Sequence, residues 1–341
     1  MADVLFFFME NNARRTEREF RPRLEIGGVR DIDFVNRYRV NRTTAQELVE
    51  LLGQDLARSE RGGKTISPET KILVSLRFLA KGAFYSELAD THGISRSSVS
   101  RTVHNFVESV NNNLDNIRFP IDREDVVKEK RAFYNKCRLP NLVGAVDGTL
   151  IPITTPTVDE EVYVCRKGYH AINCQAIVNT SLKFISVVAK WPGSTHDGAV
   201  FENSRIKGHL DATANVVLLG DSGYALSPSL LTPIMNPRSQ QEERYNRRHK
   251  RGREVVERGF GILKSRFRCL HRSGGVLPYK PHQCAALFVA CCRLHNLLMD
   301  NGEEQEVDAD VIEEDDNNDD PVEVVLNQRG AAVRDYYVNL N

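Results

Sequence analysis

The chain has 341 residues, which is enough for two domains at about 100 to 200 residues per domain. Hydrophobic residues make up 41% and charged residues 27% of it, a composition typical of folded globular proteins rather than disordered ones. Apolar runs stay well below the roughly 18 to 20 residues that cross a bilayer, so we expect no membrane association. The seven cysteines are odd in number and include no C-x-x-C pair, which favours a reducing compartment and argues against a zinc site.

The net charge is zero, but the charges are divided between two parts of the chain. Residues 303–323 contain twelve Asp or Glu and no Lys or Arg, so the rest of the chain carries +12. Within that basic part, residues 238–272 contain twelve Lys or Arg against four Glu, which favours a polyanionic partner such as DNA. A solvated helix face is the alternative explanation of this basic segment.

Residues 1–30 are predicted to form an N-terminal tail, and residues 31–135 a mainly helical domain. Apolar residues recur at helical spacing from Phe34 onwards. Ser67 and Pro68 mark the start of a helix that ends at Gly82.

The last part of this helical domain resembles a helix-turn-helix, with a short helix over 86–91, a turn at Gly93 and a helix from Ser95 to about Val110. The second helix would enter the major groove of DNA. Its early polar residues are the predicted DNA contacts: Arg96, Ser97, Ser100 and Arg101. The alternative is a three-helix bundle whose polar face is only solvated.

From residue 140 the pattern changes to short runs rich in β-branched residues, which predict strands over 143–153, 172–179, 183–191 and 216–220. Helices are predicted over about 197–206, 240–268 and 281–300. This order of elements predicts an α/β layer architecture over 140–300. The acidic stretch 303–341 is predicted to be a disordered tail, because it offers little apolar surface to bury.

Three carboxylates in this α/β region are candidate metal ligands. Asp147 interrupts a buried-strand pattern, where a charge is costly unless it is paired or bound to a metal. Asp221 ends the apolar run 216–220, at the carboxyl end of a predicted strand, although a turn aspartate would look the same. Asp197 stands at the start of a predicted helix, where an ordinary capping role is the stronger alternative.

The basic helix over 240–268 supplies a fourth acidic candidate. Glu257 lies one turn from an apolar stripe and is predicted to reach the edge of the sheet. Glu254 is the competing choice, and an ordinary surface glutamate is the alternative explanation of Glu257. Carboxylates from separate elements are what two Mg²⁺ or Mn²⁺ ions require for phosphodiester cleavage. The basic residues of the same helix are the predicted phosphate contacts: Arg247, Arg248, Lys250, Arg251 and Lys264. Residues 247–251 also have the composition of a nuclear import signal.

Several short motifs, in one order along about residues 30–300, resemble the PIF/Harbinger transposases and the Harbinger transposase-derived nucleases of animals. They are Asp147-Gly148-Thr149, Trp191-Pro192-Gly193-Ser194 with His196-Asp197, Leu219-Gly220-Asp221-Ser222-Gly223-Tyr224, Glu257-Arg258 leading to Lys264-Ser265-Arg266-Phe267-Arg268-Cys269-Leu270, Tyr245-Asn246, and Cys291-Cys292-Arg293-Leu294-His295-Asn296.

This resemblance implies an RNase H-like catalytic fold with a DDE triad of Asp147, Asp221 and Glu257. It also implies that Asp197 is a further metal ligand, and that the cofactor is a divalent cation, Mg²⁺ or Mn²⁺. The partners it implies are DNA and a separately encoded Myb-like DNA-binding protein, in the nucleus and also the cytoplasm. A homodimer is compatible with the resemblance.

The leading hypothesis is a metal-dependent DNA endonuclease of the Harbinger transposase type, with joining of the freed 3′ ends to target DNA in an active transposase. The alternative is a transposase-derived DNA-binding or adaptor protein without transposition activity. A nuclease that cuts without joining is a third hypothesis.

Overall fold

The structure is a computed structural model that describes residues 30–57, 65–303, 305–308, 311 and 328–340. Residues 1–29 of the predicted tail over 1–30, and most of the acidic stretch, lie outside the described residues.

Within the described residues, six helices precede the sheet: α1 Asp31–Tyr38, α2 Arg42–Ala57, α3 Pro68–Lys81, α4 Tyr85–His92, α5 Arg96–Asn113 and α6 Arg123–Cys137. The boundaries of α3 have local causes, since the Ser67 hydroxyl accepts a hydrogen bond from Thr70 N–H and Gly82 closes the helix at φ 65°. The predicted helical character of this region is therefore confirmed in its described part.

Helices α4 and α5 are joined by a three-residue turn. Gly93 adopts φ 62° after α4, and the Ser95 hydroxyl caps α5 by accepting from Ser98 N–H. Val99, Val103 and Phe106 bury one face of α5. Its opposite face carries Arg96, Ser97 and Arg101, which are exposed, and Ser100, which is half-buried.

A five-stranded sheet follows: β1 Leu142–Pro152, β2 Ala171–Val178, β3 Phe184–Pro192, β4 Val217–Leu219 and β5 Leu230–Leu231. The strand order is β3-β2-β1-β4-β5, with β1, β2 and β3 antiparallel and with β4 and β5 parallel to β1. The α/β architecture is confirmed, and this arrangement is consistent with the RNase H-like fold. Strand β5 was not predicted.

Five helices lie between β1 and residue 300 of the described chain: α7 Glu160–Tyr163, α8 Asp197–Glu202, α9 Arg205–Ala212, α10 Gln240–Arg266 and α11 Pro281–Asp300. The last four cover the two faces of the sheet. Residues 197–206, predicted as one helix, are divided because Ser204 caps a second one. Phe201 and Leu210 from α8 and α9 join a small core on one face. Val255 and Phe288 from α10 and α11 join the larger core on the other.

The larger core does not stop at the predicted domain boundary near residue 135. It runs from Phe34 in α1 to Leu298 in α11 without interruption. Helix α6 packs against β1 and α10 rather than against the helices that precede it. Asn296 of α11 binds the backbone of Phe184 and of Asn116, which ties the sheet to the segment between α5 and α6.

The predicted disorder over 303–341 is wrong for the part that is described. Residues Gln328–Val338 form α12, which packs against α10 and β5. The buried Tyr337 explains this, because its hydroxyl donates to the carbonyl of Pro140 at 3.0 Å. Near the start of the stretch, Asp308 pairs with Arg268 at 2.7 Å, and Glu303 accepts a hydrogen bond from Asn41 N–H at 2.8 Å.

All seven cysteines are buried and unbridged. None of the helices in the described part of the chain is long and apolar enough to cross a membrane.

Candidate active site

The parallel pairing of β1 with β4 brings the first two acids together. Ala145 of β1 is in register with Leu219 of β4. Asp147 and Asp221 each follow two residues later in the sequence. Asp147 is 4% exposed and Asp221 6% exposed, so both carboxylates are buried at this edge of the sheet. Backbone N–H groups orient them, because Gly148 donates to Asp147 Oδ1 and Gly223 donates to Asp221 Oδ1, both at 2.9 Å.

Asp197, the first residue of α8, turns its carboxylate towards β1. A Cβ added to Gly148 would lie 2.2 Å from Asp197 Oδ1, so the carboxylate occupies the space that the glycine leaves open. Asn173 of β2 donates to the same oxygen at 2.6 Å. Gln175 donates to the Asp197 carbonyl at 3.0 Å and to the Tyr224 hydroxyl at 2.9 Å. Asp197 is therefore held beside Asp147 and does more than start a helix.

Helix α10 brings Glu257 to this site. Arg253, one turn earlier on the same helix, contacts both Glu257 and Asp147. Arg253 Nη2 donates to Asp147 Oδ2 at 2.8 Å and lies 3.4 Å from Glu257 Oε1. Glu254 instead faces Lys136 of α6, at 3.9 Å. The structure thus brings Glu257, and not Glu254, to the buried aspartates.

The electrostatics show that the four acids share one site. Burial raises the pKa of Asp147, Arg253 opposes this, and Asp197 and Glu257 add to it. Burial also raises the pKa of Tyr224, and the nearby Asp197, Asp147 and Asp221 raise it further. Burial disfavours the charged form of Arg253, but Asp147, Glu257 and Asp221 outweigh it and raise the pKa of the guanidinium.

The donor set fits a divalent cation in its chemistry. All four candidate ligands are carboxylates, the hard oxygen donors that Mg²⁺ and Mn²⁺ prefer. Among the described residues, no three His, Cys, Asp or Glu side chains are grouped closely enough to hold an ion as they stand. The guanidinium of Arg253 lies among these carboxylates, in contact with Asp147 and Glu257.

The predicted phosphate contacts on α10 divide into three kinds. Arg247, Lys250 and Arg251 are exposed. Arg248 is half-buried and donates to the Leu340 carbonyl at 3.2 Å. Lys264 is 5% exposed, so the prediction that it contacts DNA is wrong for this conformation.

Sequence reasoning missed residues that hold the acids in place. Asn173 and Gln175 had a readable signal, because they are polar residues at alternate positions of an otherwise apolar buried strand. His249 is buried on α10 and its Nε2 donates to the Leu231 carbonyl at 3.1 Å, which ties α10 to β5. Arg253 carried no signal that separates it from its basic neighbours.

The chain is similar to known proteins over most of its length. Residues 146–296, which include all four acids, match the family described as DDE superfamily endonuclease. The chain is 37% identical over 283 residues to "Putative nuclease HARBI1" of Mus musculus, covering 82% of this chain and 81% of that protein. It is 36% identical to the Homo sapiens protein of the same name, with the same coverage, and 29% identical to "Protein ALP1-like" of Arabidopsis thaliana, covering 82% and 74%. No solved structure matches.

Proposed function

Because this chain belongs to the Harbinger transposase-derived nuclease family, we propose that it cleaves phosphodiester bonds in DNA with the help of divalent metal ions. The observation that carries this proposal is the convergence of Asp147, Asp221 and Glu257 on the Arg253 side of β1. Acids from a strand, a strand end and a later helix meet at one edge of the sheet.

The residues that would hold Mg²⁺ or Mn²⁺ are Asp147, Asp197, Asp221 and Glu257. Ions bound there would neutralise charge on the scissile phosphate and would lower the pKa of an attacking water or hydroxyl. The chain itself orients the ligands: Gly148 N–H and Gly223 N–H fix one oxygen each of Asp147 and Asp221, and Asn173 fixes one of Asp197. These contacts hold the three aspartates in the positions from which they would bind the ions.

DNA would lie across α10 and α5. Arg247, Lys250 and Arg251 are exposed on α10, with Lys250 one turn before Arg253 on the side of the acids. On α5, Arg96, Ser97 and Arg101 are exposed behind a glycine turn, as in a helix-turn-helix recognition helix. His249 is buried within the cluster 247–251, so we propose that these cations serve DNA rather than act as an extended import peptide.

The test is cleavage of terminal-repeat DNA by the full chain in Mg²⁺ or Mn²⁺. We expect the cleavage rate to fall by more than about a hundredfold in each of three variants, Asp147→Asn, Asp221→Asn and Glu257→Gln. A fall of this size exceeds the usual effect of losing a residue that only orients a metal ligand. Glu254→Gln is the matched control, since Glu254 lies on the same helix but faces Lys136.

The outcome against the proposal is cleavage by all three variants at the wild-type rate. Wild-type chain that binds DNA with steep salt dependence but never cuts it would favour the alternative, a DNA-binding or adaptor protein. Joining of labelled 3′ ends to a second DNA separates a transposase from a nuclease. Nuclear location and the Myb-like partner stay predictions.

A further inference from the structure

Arg253 lies between two of the candidate metal ligands. A single nitrogen, Nη2, is 2.8 Å from Asp147 Oδ2 and 3.4 Å from Glu257 Oε1. The three side chains come from two elements, since Asp147 belongs to β1 and the other two are one turn apart on α10. The guanidinium therefore bridges strand and helix at the centre of the site.

The Arg253 guanidinium supplies positive charge to the acids around it. Asp147 is buried, and a buried carboxylate without a positive partner is strongly destabilising. Asp147, Glu257 and Asp221 all attract Arg253. In the metal-free protein, Arg253 therefore supplies a positive partner that makes this concentration of negative charge tolerable.

The contact of Arg253 with Asp147 and Glu257 has features of a temporary ion pair rather than a permanent one. Arg253 Nε is buried and has no hydrogen-bond partner among the described residues, so the guanidinium does not satisfy all its donors here. Its side chain is still 18% exposed, and that of Glu257 is 50% exposed, which leaves a route outwards along the helix surface. A permanent structural arginine would be expected to pair through two nitrogens with satisfied geometry.

A divalent cation and this guanidinium compete for the same oxygens. A Mg²⁺ ion held by both Asp147 and Glu257 would need carboxylate oxygens of the two side chains that Arg253 Nη2 contacts. The bound ion and the guanidinium of Arg253 would also repel each other, because both are positively charged and the site is partly buried.

We infer that Arg253 stands in for a divalent cation between Asp147 and Glu257 in the metal-free protein, and leaves Asp147 when a cation binds. This rests on the proposed metal site. Arg253 is then a positioning residue, which keeps the ligands folded and neutralised until the ion replaces it. The competing explanation is a permanent ion pair that holds Asp147 in place for the metal. The two explanations predict opposite changes in metal affinity when Arg253 is neutralised.

The test is Mn²⁺ titration of the metal-free, full-length protein without DNA, comparing wild type with Arg253→Gln. Binding at this site is identified as the part lost in Asp147→Asn, which separates it from binding by the acidic stretch 303–323. Arg253→Gln is expected to bind Mn²⁺ at least about tenfold more tightly, because a competing cation is removed from a partly buried site. Arg258→Gln is the control, because Arg258 is exposed beside Glu257 and its charge is screened by solvent.

Unchanged or weaker Mn²⁺ binding by folded Arg253→Gln would overturn the inference and leave the metal site standing. An equal gain in Mn²⁺ affinity in Arg258→Gln would also overturn it, because the gain would then come from the lower net charge and not from the position of Arg253. Wild-type protein without Asp147-dependent Mn²⁺ binding would overturn the metal site and the inference together.

Should Arg253→Gln fail to fold, the wild-type protein carries the test. Modification of single arginines by phenylglyoxal, followed by peptide mass spectrometry, reports whether each guanidinium is accessible. Arg253 is expected to react faster in saturating Mn²⁺ than without metal, and Arg258 at an unchanged rate. Equal or slower reaction of Arg253 with metal bound would contradict its displacement.

Discussion

At the scale of single residues, the position of Asp197 depends on the absence of a side chain at Gly148. The Asp197 carboxylate fills the space above Gly148 and is fixed there by Asn173. Because Asp147 directly precedes Gly148, this close packing brings two acids from separate elements side by side.

We predict that Gly148→Ala damages the site more than the fold. The new Cβ would lie 2.2 Å from Asp197 Oδ1, so the carboxylate must move away from Asp147. Cleavage should fall by about ten- to a hundredfold, the usual cost of disturbing the groups that orient a metal ligand. Gly208→Ala on α9 is the control, since an added Cβ there meets nothing within 4 Å. Equal cleavage rates in the two variants would contradict this account.

Residue-scale prediction from the sequence succeeded where a charge conflicted with its surroundings. Asp147 was singled out because a carboxylate interrupts a buried strand, and it is indeed buried among other acids. Lys264 was misjudged because it lies seven residues after Glu257, on the same side of α10, and at that end of the helix this side is buried near Cys174. The contact of Arg253 with Asp147 requires the rotation of α10 against β1, which no local pattern encodes.

At the scale of elements, α10 carries two glycines on the face that meets the sheet. A Cβ on Gly252 would lie 2.3 Å from Leu219 Cδ1 in β4, and one on Gly259 would lie 3.1 Å from Val178 Cγ1 in β2. Helix α10 therefore approaches the sheet more closely than a helix with side chains at these positions. Arg253 follows Gly252 directly, so this close approach sets its reach to Asp147.

We predict that Gly252→Ala lowers both stability and cleavage. Overpacking of this kind costs about 1 to 3 kcal/mol, and the shift of α10 away from β4 also carries Arg253 and Glu257 away from Asp147. Urea unfolding and a cleavage assay measure the two effects, again with Gly208→Ala as control. Full activity in a destabilised Gly252→Ala protein would show that the position of α10 does not limit the chemistry.

The helices and strands that the sequence predicted correctly were those with a long run or stripe of apolar residues. Strands β1 to β4 follow runs of β-branched residues, and α10 and α11 follow apolar stripes. Strand β5 has only two residues, Leu230 and Leu231, too few to show any periodicity. Helix α12 was hidden because the acidic stretch before it dominates the composition and because Gly330 lies within it.

At the scale of the whole molecule, the continuous core encloses histidines that have to remain neutral. Burial lowers the pKa of His92 to about 4, of His249 to about 4 and of His295 to about 3. In the unfolded chain a histidine titrates near pH 6.5. Between these values the unfolded chain binds protons that the folded protein does not.

We predict that the protein loses stability as the pH falls from about 6.5 towards 4, because the folded pKa values are depressed. Stability from these groups is complete above the unfolded pKa, and each histidine adds a slope approaching about 1.4 kcal/mol per pH unit below it. His295→Gln keeps a donor for the Leu182 carbonyl but removes one titrating group. Its free energy of unfolding, from urea titrations between about pH 6 and 4.5, should fall less steeply than that of wild type. Identical slopes would rule out His295 as a contributor.

The position of α12 beside β5 has a consequence for how the protein behaves at high concentration. A sheet has two outer edges, and an open edge is a template for pairing with another molecule. At the β3 edge, the exposed Lys190 discourages such pairing, while α12 flanks β5 at the other. A chain ending at residue 327 is therefore expected to form larger aggregates than the full-length chain, visible as growth in light scattering. A truncated chain that stays monodisperse would show that α12 is dispensable for solubility.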